Sequence, residues 1–441
     1  MIKHFLIFYI LLFNSLSVFA QNEFVLDDDK DDKIRFQLIN NLIVFPVEIN
    51  GVELSFLFDT GVSKPIIFNL VNFTEELHIK ETEIINIRGL GEGNTIEAIK
   101  SKNNYFKIGN AVNLNQELYA IYDPSLNFAP KLGVPIHGII GYDFLKNFVV
   151  EINYSKKFIR INNPKYYEPR KCKNCESFEL EFYNNKPYIK GIVELNNKTI
   201  PVKLLIDSGG SDALWLFEDK KQNIETPNAY FIDFLGRGLS GSVYGKRSKV
   251  KRFSIGSFNL KNVNTAFPDS ASIRFARNFK SRSGSLAGDI LKRFNIVFDY
   301  PNKKIRLKRN RYFSDPFNYN KSGIILEHDG VRLVKEIQTS IKRSDESASA
   351  ADNRFIMMSG SYDYILVPSY TIVELREDSP AKESGLMVGD IVLAINNKHA
   401  HKYSLQEIMA MFYDDAGKNI KLLVDRNGVQ LKYSFKLKDM L

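Results

Sequence analysis

The sequence contains two copies of one pattern, in which an apolar strand runs directly into Asp, then Thr or Ser, then Gly. The first copy is LSFLFDTGVS, with the acid at Asp59, and the second is VKLLIDSGGS, with the acid at Asp207. An apolar segment and an Asn-Gly or Asn-Asn pair precede each copy, which predicts a β-hairpin whose second strand ends at the acid. A single tripeptide of this kind indicates only a turn, so the surroundings must show whether the carboxylates are reactive.

The likeness between the two copies continues far beyond the tripeptide. An Arg-Gly-Leu segment begins 29 residues after the first acid, at Arg88, and 30 residues after the second acid, at Arg237. An apolar pair and a glycine then follow in each copy, as Ile139-Ile140-Gly141 and as Leu286-Ala287-Gly288. The acids lie 148 residues apart and these glycines 147, so the register is kept. We infer a duplication of one all-β lobe.

These combined features resemble the aspartic proteases, both pepsin-like and retropepsin-like, over about residues 36 to 310. The resemblance implies a mainly β fold with two tandem β-barrel lobes, at residues 36–165 and 176–310. It implies that Asp59 and Asp207 are the catalytic pair, and that the hydroxyls of Thr60 and Ser208 bond across to the other lobe. Gly61 and Gly209 would then leave room for the acid turns. The residues after these glycines, Val62 and Gly210, differ from the family, in which Ala or Ser is commoner at this position.

Two such carboxylates in contact cannot both ionise cheaply, so they share one proton over a broad pH range, as the carboxyl pair of aspartic proteases does. The ionised acid would activate a water molecule, and the protonated acid would donate to the carbonyl oxygen of a peptide bond. This chemistry needs no metal and no cofactor, and we expect neither.

The glycine-rich segments after each acid predict hairpins that cover a substrate cleft, here called flaps. Pepsin-like enzymes have one flap, with a Tyr near its tip, whereas here the second hairpin carries a Tyr and the first does not. We expect both hairpins to cover the cleft, as in a retropepsin dimer; the alternative is a pair of ordinary β-turns. The flap residues are Arg88, Gly89, Gly91 and Gly93 in the first lobe and Gly236, Arg237, Gly238, Gly241 and Tyr244 in the second.

The pattern changes after about residue 311. Residues 311–365 are interpreted as a linker with a β-hairpin and a flexible loop, and residues 366–441 resemble a bacterial, circularly permuted PDZ domain. The resemblance is carried by Ser379-Pro380-Ala381, Gly385-Leu386, Gly389-Asp390, Ile391, Ile395 and Asn396. A PDZ groove binds an extended peptide at a sheet edge, and the helix from Ser404 to Phe412 would form one wall. The module could also serve as a packing partner for the protease core.

The N-terminal residues 1–20 read as a signal peptide with cleavage near Ala20, which predicts a periplasmic or secreted protein. The net charge of +9 comes with no nucleic-acid motif, and no later segment suggests an integral membrane span. The two cysteines, Cys172 and Cys175, are expected to form a local disulfide, with free thiols as the alternative. One chain supplies both acids, so we expect a monomer.

The sequence thus favours an exported aspartic endopeptidase whose PDZ module binds or presents peptide. The alternative is a non-catalytic protein on a protease fold, which binds peptides or takes part in envelope assembly. Retention of both acids with their Thr or Ser and Gly neighbours favours the enzyme.

Overall fold

The computed structural model describes residues 23–26, 30–68, 77–91, 93, 95–123, 126–279, 281–339 and 360–441, with the side chains of 336–339, 360 and 361 left aside. The predicted signal peptide and most of the predicted flexible loop lie outside these residues. The described chain forms four β-sheets with a few short helices, so the mainly β fold is confirmed. Its helices are Ala129–Leu132, Tyr142–Leu145, Gly288–Leu291, Pro380–Glu383 and Leu405–Met411, with 3-10 turns at Lys220–Gln222, Ala276–Asn278 and Ala400–Lys402.

The first lobe is a nine-stranded sheet. Its acid strand, Val52–Phe58, pairs antiparallel with the strand before it and parallel with the short strand Gly138–Ile140. The strands in sheet order are Val25–Leu26, Ala111–Ile121, Ile66–Phe68, Gly138–Ile140, Val52–Phe58, Leu42–Ile49, Ile96–Ile108 and Thr82–Ile87, with Gln37–Ile39 paired to Leu42–Ile49.

The second lobe repeats this arrangement in an eight-stranded sheet. The acid strand Lys198–Asp207 again pairs antiparallel with its predecessor and parallel with a short strand, here Gly284–Ala287. The strands in sheet order are Glu181–Tyr183, Lys186–Leu195, Lys198–Asp207, Gly284–Ala287, Leu214–Leu216, Phe258–Pro268, Gly241–Ile255 and Phe231–Gly238.

The Asn-rich turns form the predicted hairpins. Asn50 and Gly51 have φ values of 50° and 92°, and Asn196 and Asn197 have φ values of 48° and 60°. Two successive residues at positive φ are what a two-residue hairpin of the type I′ class requires, and Asn and Gly tolerate them best. These turns therefore set the register that carries each strand into its acid.

A third sheet of six strands is built from both lobes. At its centre, Val149–Asn153 of the first lobe pairs antiparallel with Phe294–Asp299 of the second. These strands lie in the segments that follow Gly141 and Gly288, DFLKNFVVEINYSKKFIRI and DILKRFNIVFDYPNKKIRL, which share Asp, Leu, Lys, Phe, Tyr, Lys, Ile and Arg in register. The repeated segments of the two lobes therefore pair with each other. The strands in sheet order are Cys175–Glu179, Lys304–Arg309, Phe294–Asp299, Val149–Asn153, Phe158–Asn162 and Asp31–Arg35.

One apolar core runs through both lobes and the shared sheet. Phe56, Val150, Ile206 and Phe298, which come from all three sheets, are fully buried members of it. Because burial of apolar side chains is the main favourable term in folding, this common core holds the two acid strands in one rigid body.

A local disulfide joins Cys172 and Cys175, whose Cα atoms are 5.7 Å apart. It lies just before Cys175–Glu179, the outermost strand of the shared sheet.

The chain divides into two compact units. The first holds both lobes, in the described residues up to Phe128, from Val134 to Tyr319, and Met440–Leu441; the second holds Ala129–Gly133 and Asn320–Asp439. The second unit has a sheet of its own. Its strands in order are Ile324–Thr339, Gly360–Leu375, Ile391–Ile395, Asn419–Arg426 and Val429–Lys436, with Lys398–His399 paired to Ile391–Ile395.

The sequence predicts a β-hairpin at the start of the linker, and this prediction is wrong: the segment is one strand, Ile324–Thr339, which forms the edge of the sheet of the second unit. Its Asp329-Gly330 pair lies at an irregularity between His328 and Val331, and the strand pairs on both sides of it with Gly360–Leu375. The predicted domain boundaries otherwise stay a prediction. The motif residues of this unit adopt the expected local structures: Ser379 accepts a bond from the Lys382 N–H at the start of a helix, and Gly389 has φ +93°. In the described part of the chain, no helix has the length and apolar character needed to cross a membrane.

Candidate active site

Both acids sit where the sequence predicts, at the end of a buried strand. The Asp59 N–H donates to the carbonyl of Ile140 at 2.9 Å, and Asp207 lies opposite Ala287 in the parallel ladder. The apolar pairs Ile139-Ile140 and Leu286-Ala287 are buried, so each acid rests on a rigid strand of its own lobe.

The glycines after these apolar pairs allow a close approach that no other residue permits. A Cβ built on Gly141 would lie 1.9 Å from the carbonyl oxygen of Asp59, and one on Gly288 would lie 2.7 Å from that of Gly210. Any side chain at either position would collide with the backbone of an acid turn. The two glycines therefore let each of these segments pass close to an acid turn.

The hydroxyls of Thr60 and Ser208 connect the two lobes. Thr60 Oγ1 donates to the carbonyl of Ile206 at 2.6 Å and accepts from the Ser208 N–H at 3.1 Å. Ser208 Oγ donates to the carbonyl of Phe58 at 2.9 Å and accepts from the Thr60 N–H at 3.0 Å. Both side chains are buried. Each hydroxyl thus bonds to two residues of the opposite lobe, the one before its acid and the one after it.

The glycines that follow the hydroxyl residues lie against the acids. The Gly61 N–H donates to Asp59 Oδ1 at 2.7 Å. A Cβ built on Gly61 would lie 3.0 Å from Asp59 Oδ1 and 3.5 Å from Asp207 Oδ1, so both carboxylates border the same small volume. A Cβ on Gly209 would lie 2.3 Å from Asp59 Cγ. The Asp59 carboxylate therefore packs directly on the acid turn of the second lobe.

The surroundings of Asp59 favour its protonated form. Burial raises the pKa of the Asp59 carboxyl to about 7, and the neighbouring charge of Asp207 adds to the rise. The N–H groups of Gly61 and Gly209 and the ammonium group of Lys186 oppose it. The net result is a carboxyl group that holds its proton near neutral pH, as the acid of such a pair must.

Asp207 is surrounded by groups that favour its charged form. Burial has the largest effect and raises the pKa of the Asp207 carboxyl above its ordinary value, whereas the Arg282 guanidinium, the Lys186 ammonium, the Gly210 N–H and the Ser285 hydroxyl oppose the rise. Two cations therefore stabilise the charged form of Asp207. When the pair carries one proton, this environment favours the proton on Asp59 and the charge on Asp207.

Sequence reasoning missed the two cations. Arg282 is only 8% exposed, and it donates from Nε to the Gly284 carbonyl at 3.1 Å and from Nη2 to Ser285 Oγ at 2.7 Å. Lys186 begins the strand Lys186–Leu195. A signal was available, because six residues before Gly288 stands Arg282, whereas the equivalent position before Gly141 is Pro135. This difference between the two copies indicates that the second lobe carries a cation that the first lobe lacks at the same position.

The tips of the two predicted flaps contact each other. The Gly89 N–H donates to Ser240 Oγ at 3.1 Å, and the Gly93 N–H donates to the Ser240 carbonyl at 2.7 Å. In return, the Ser240 N–H donates to the Leu90 carbonyl at 2.9 Å. The two hairpins therefore meet tip to tip; that they cover a substrate cleft stays a prediction.

The remaining flap residues surround this contact. Gly91 and Gly241 have φ values of +120° and +115°, which favour glycine, and a Cβ on Gly238 would lie 2.3 Å from the Leu90 carbonyl oxygen. The Arg88 guanidinium stacks 3.7 Å from the centre of the Phe275 ring. Arg237 and Tyr244 are exposed, and the Tyr244 ring lies beside that of Phe234.

The second unit contains the elements of a peptide groove. The helix Leu405–Met411 starts with a capping box between Ser404 and Glu407 and packs beside the edge strand Ile324–Thr339. Asp390 is buried and accepts bonds from Arg426 at 2.6 and 2.7 Å. This pair fixes the turn that begins the strand Ile391–Ile395.

Comparison with known protein families supports both parts. Residues 45–144 match the family model described as aspartyl protease, a span that includes Asp59 and Gly141. Residues 371–426 match the model described as PDZ domain. A search of curated proteins finds no significant match. For the second lobe, the likeness rests on the repeated sequence and the shared geometry. The chain therefore contains an aspartyl protease domain followed by a C-terminal PDZ domain.

Proposed function

We propose that this chain is an aspartic endopeptidase, in which Asp59 and Asp207 hydrolyse peptide bonds with an activated water molecule. The observation that carries the proposal is the reciprocal bonding of Thr60 and Ser208 across the lobes, with both carboxylates beside one small volume. Such an arrangement holds two acids in the fixed relation that general acid–base catalysis needs.

The environments of the two acids suggest their roles. Asp207, ionised beside Arg282 and Lys186, takes a proton from the water, whose oxygen attacks the carbonyl carbon of the substrate. Asp59 donates its proton to the carbonyl oxygen, and a tetrahedral diol forms. Asp207 then passes its proton to the amide nitrogen, the C–N bond breaks, and Asp59 recovers a proton from the collapsing diol. Water is consumed, and a carboxylic acid and an amine are released.

A second candidate is a non-catalytic peptide-binding protein, and one observation favours it. Two cations near the acids, Lys186 and Arg282, stabilise carboxylate charge. If they kept both acids ionised, the site would lack its proton donor and would hold peptides without cutting them. The raised pKa of Asp59 favours the enzyme over this alternative.

One experiment separates the two functions. The purified mature chain, Asp59→Asn and Asp207→Asn are each incubated with a peptide library at several pH values, and cleavage is followed by mass spectrometry. The enzyme predicts cuts by the wild type and none by either variant, with circular dichroism unchanged. Retention of the same peptides by all three proteins, with no cuts, would favour the binding protein.

We also propose that the protein is exported, acts as a monomer and uses its PDZ domain to engage peptide. The first part rests on the apolar N-terminal segment ending near Ala20. N-terminal sequencing of the protein recovered from the cell envelope tests it, because a mature N-terminus near Gln21 supports export and an intact Met1 contradicts it. Light scattering of the purified protein tests the monomer.

A further inference from the structure

The second unit includes a short piece of chain from far earlier in the sequence. Ala129–Gly133, here called the groove segment, belongs to this unit together with Asn320–Asp439. The groove segment is a single helical turn, closed by a bond from the Gly133 N–H to the Ala129 carbonyl at 2.8 Å. Gly133 ends it with φ +67°, the left-handed conformation typical of a helix C-terminus.

The groove segment lies between the two walls of the peptide groove. It packs against the edge strand Ile324–Thr339, beside which the helix Leu405–Met411 also packs. From that helix, Gln406 Nε2 donates to the Leu132 carbonyl at 2.5 Å. A Cβ built on Gly133 would lie 3.2 Å from Leu405 Cβ, and Leu132 is only 5% exposed. The helix therefore contacts both the backbone of the segment, through Gln406, and its end at Gly133, through Leu405.

A peptide bound to a PDZ domain lies along a sheet edge. The groove segment is a helical turn and not an extended strand, but it packs against the edge strand of the same sheet. Gly133 also lines a cavity of about 420 Å³, together with residues that include His328, Tyr370 and Tyr403. The Tyr370 hydroxyl donates to the Tyr403 carbonyl at 2.8 Å, which fixes the cavity wall. The groove segment therefore borders open space through Gly133.

We propose that the groove segment is an internal ligand of the PDZ groove, and that an external peptide binds only after the segment leaves. A tethered ligand competes at an effective concentration on the order of millimolar, so a free peptide at micromolar concentration cannot displace it. The partner that fits this surface is a peptide with the chemistry of the segment: a leucine next to a turn, with its carbonyl open to the Gln406 amide. This inference concerns binding alone and is independent of whether the acids cut peptides.

The test uses a fluorescein-labelled peptide of residues 126–136, LNFAPKLGVPI, and fluorescence anisotropy with the full chain. Leu132→Asp should expel the groove segment, because a carboxylate is costly to bury, while the groove stays intact. We expect this variant to bind the probe at least tenfold more tightly than the wild type. A probe with Asp at the leucine position should not bind, and Gln406→Ala added to Leu132→Asp should weaken binding.

A cross-link tests the same contact without removing it. Gly133→Cys with Leu405→Cys brings the two Cβ atoms within reach of a disulfide, and Gly133→Cys alone is the control. Oxidation should form the link in the double variant, seen as a joined peptide by mass spectrometry, and the linked protein should not bind the probe. Equal probe affinity of the wild type and a folded Leu132→Asp, or no cross-link in the double variant, would overturn the proposal.

Discussion

Thr60 and Ser208 exchange hydrogen bonds across the lobe interface, each hydroxyl accepting from the N–H of the other residue, at 3.1 and 3.0 Å. Each hydroxyl also donates to a carbonyl of the opposite lobe. The relation is reciprocal because the lobes are copies. It converts two separate acid turns into one unit, and the predictions below follow from that unit and its surroundings.

The cross-lobe bonds should stabilise the fold and position the acids. Thr60→Val and Ser208→Ala each leave buried polar groups without partners, which we expect to lower the free energy of unfolding by about 1–3 kcal/mol and kcat/KM at least tenfold. Urea unfolding and peptide hydrolysis measure the two effects. Ser63→Ala, which loses only an exposed bond to the Asn184 carbonyl, is the control. Effects equal to those of the control would contradict the prediction.

Gly209 should be far less replaceable than the glycine next to it. In Gly209→Ala, the new methyl group would lie 2.3 Å from Asp59 Cγ and must push that carboxylate away. In the matched control, Gly210→Ala, the nearest atom is Ala287 Cβ at 3.2 Å, which small shifts accommodate. We expect kcat/KM to fall more than about 100-fold in the first variant and less than about tenfold in the second. Similar losses in two folded variants would argue against contact between Asp59 and the second acid turn.

Arg282 should set the acid side of the pH profile. The charged groups that face Asp207 are Asp59, Lys186 and Arg282. Removing the guanidinium charge in Arg282→Met destabilises ionised Asp207 and raises the pKa of that carboxyl, so we expect the rising limb of the kcat/KM profile to move up by about 0.5–1 pH unit.

Because Arg282 is buried, Ser285→Ala provides a second variant, with a smaller shift in the same direction. Arg311→Met, which removes an exposed guanidinium, should leave the profile unchanged. A fixed rising limb in both Arg282→Met and Ser285→Ala, with folding retained, would show that these groups do not act on Asp207.

The raised pKa of Asp59 has a consequence for stability. The folded protein holds this proton up to about pH 7, whereas the unfolded chain releases it near the ordinary value of 3.8. The folded state therefore binds more protons between these values, and the wild type loses stability as the pH rises through that window. Asp59→Asn removes the loss.

We expect the advantage of Asp59→Asn over the wild type to grow by about 2–4 kcal/mol between pH 4 and pH 8, since one pKa unit corresponds to about 1.4 kcal/mol. Urea unfolding at both pH values measures it. Glu53→Gln, an exposed change on the same strand, should show no such growth. An advantage of Asp59→Asn that is independent of pH would mean that the carboxyl titrates alike in both states.

The sequence by itself determined the features that depend on local chemistry. Period-2 apolar strands, Asn-Gly and Asn-Asn turns and the glycine beneath each acid are encoded within a few residues, because backbone conformation and side-chain alternation are local properties. The duplication added one long-range fact, since two like lobes with one acid each imply a pairing of those acids. The PDZ domain could be identified from the sequence because its motif residues also encode local turns and a helix start.

Only the tertiary structure decided what depends on distant segments meeting. Three features were decided in this way: the central pairing of Val149–Asn153 with Phe294–Asp299, the position of Lys186 and Arg282 beside the acids, and the packing of the groove segment against a strand nearly two hundred residues later. The difference between Arg282 and Pro135 in the two copies marks one of the cations in the sequence, but it does not show where that cation lies. Each of the three features arises because folding packs surfaces together by shape and burial, which are properties of the assembled core and not of a residue's neighbours in the chain.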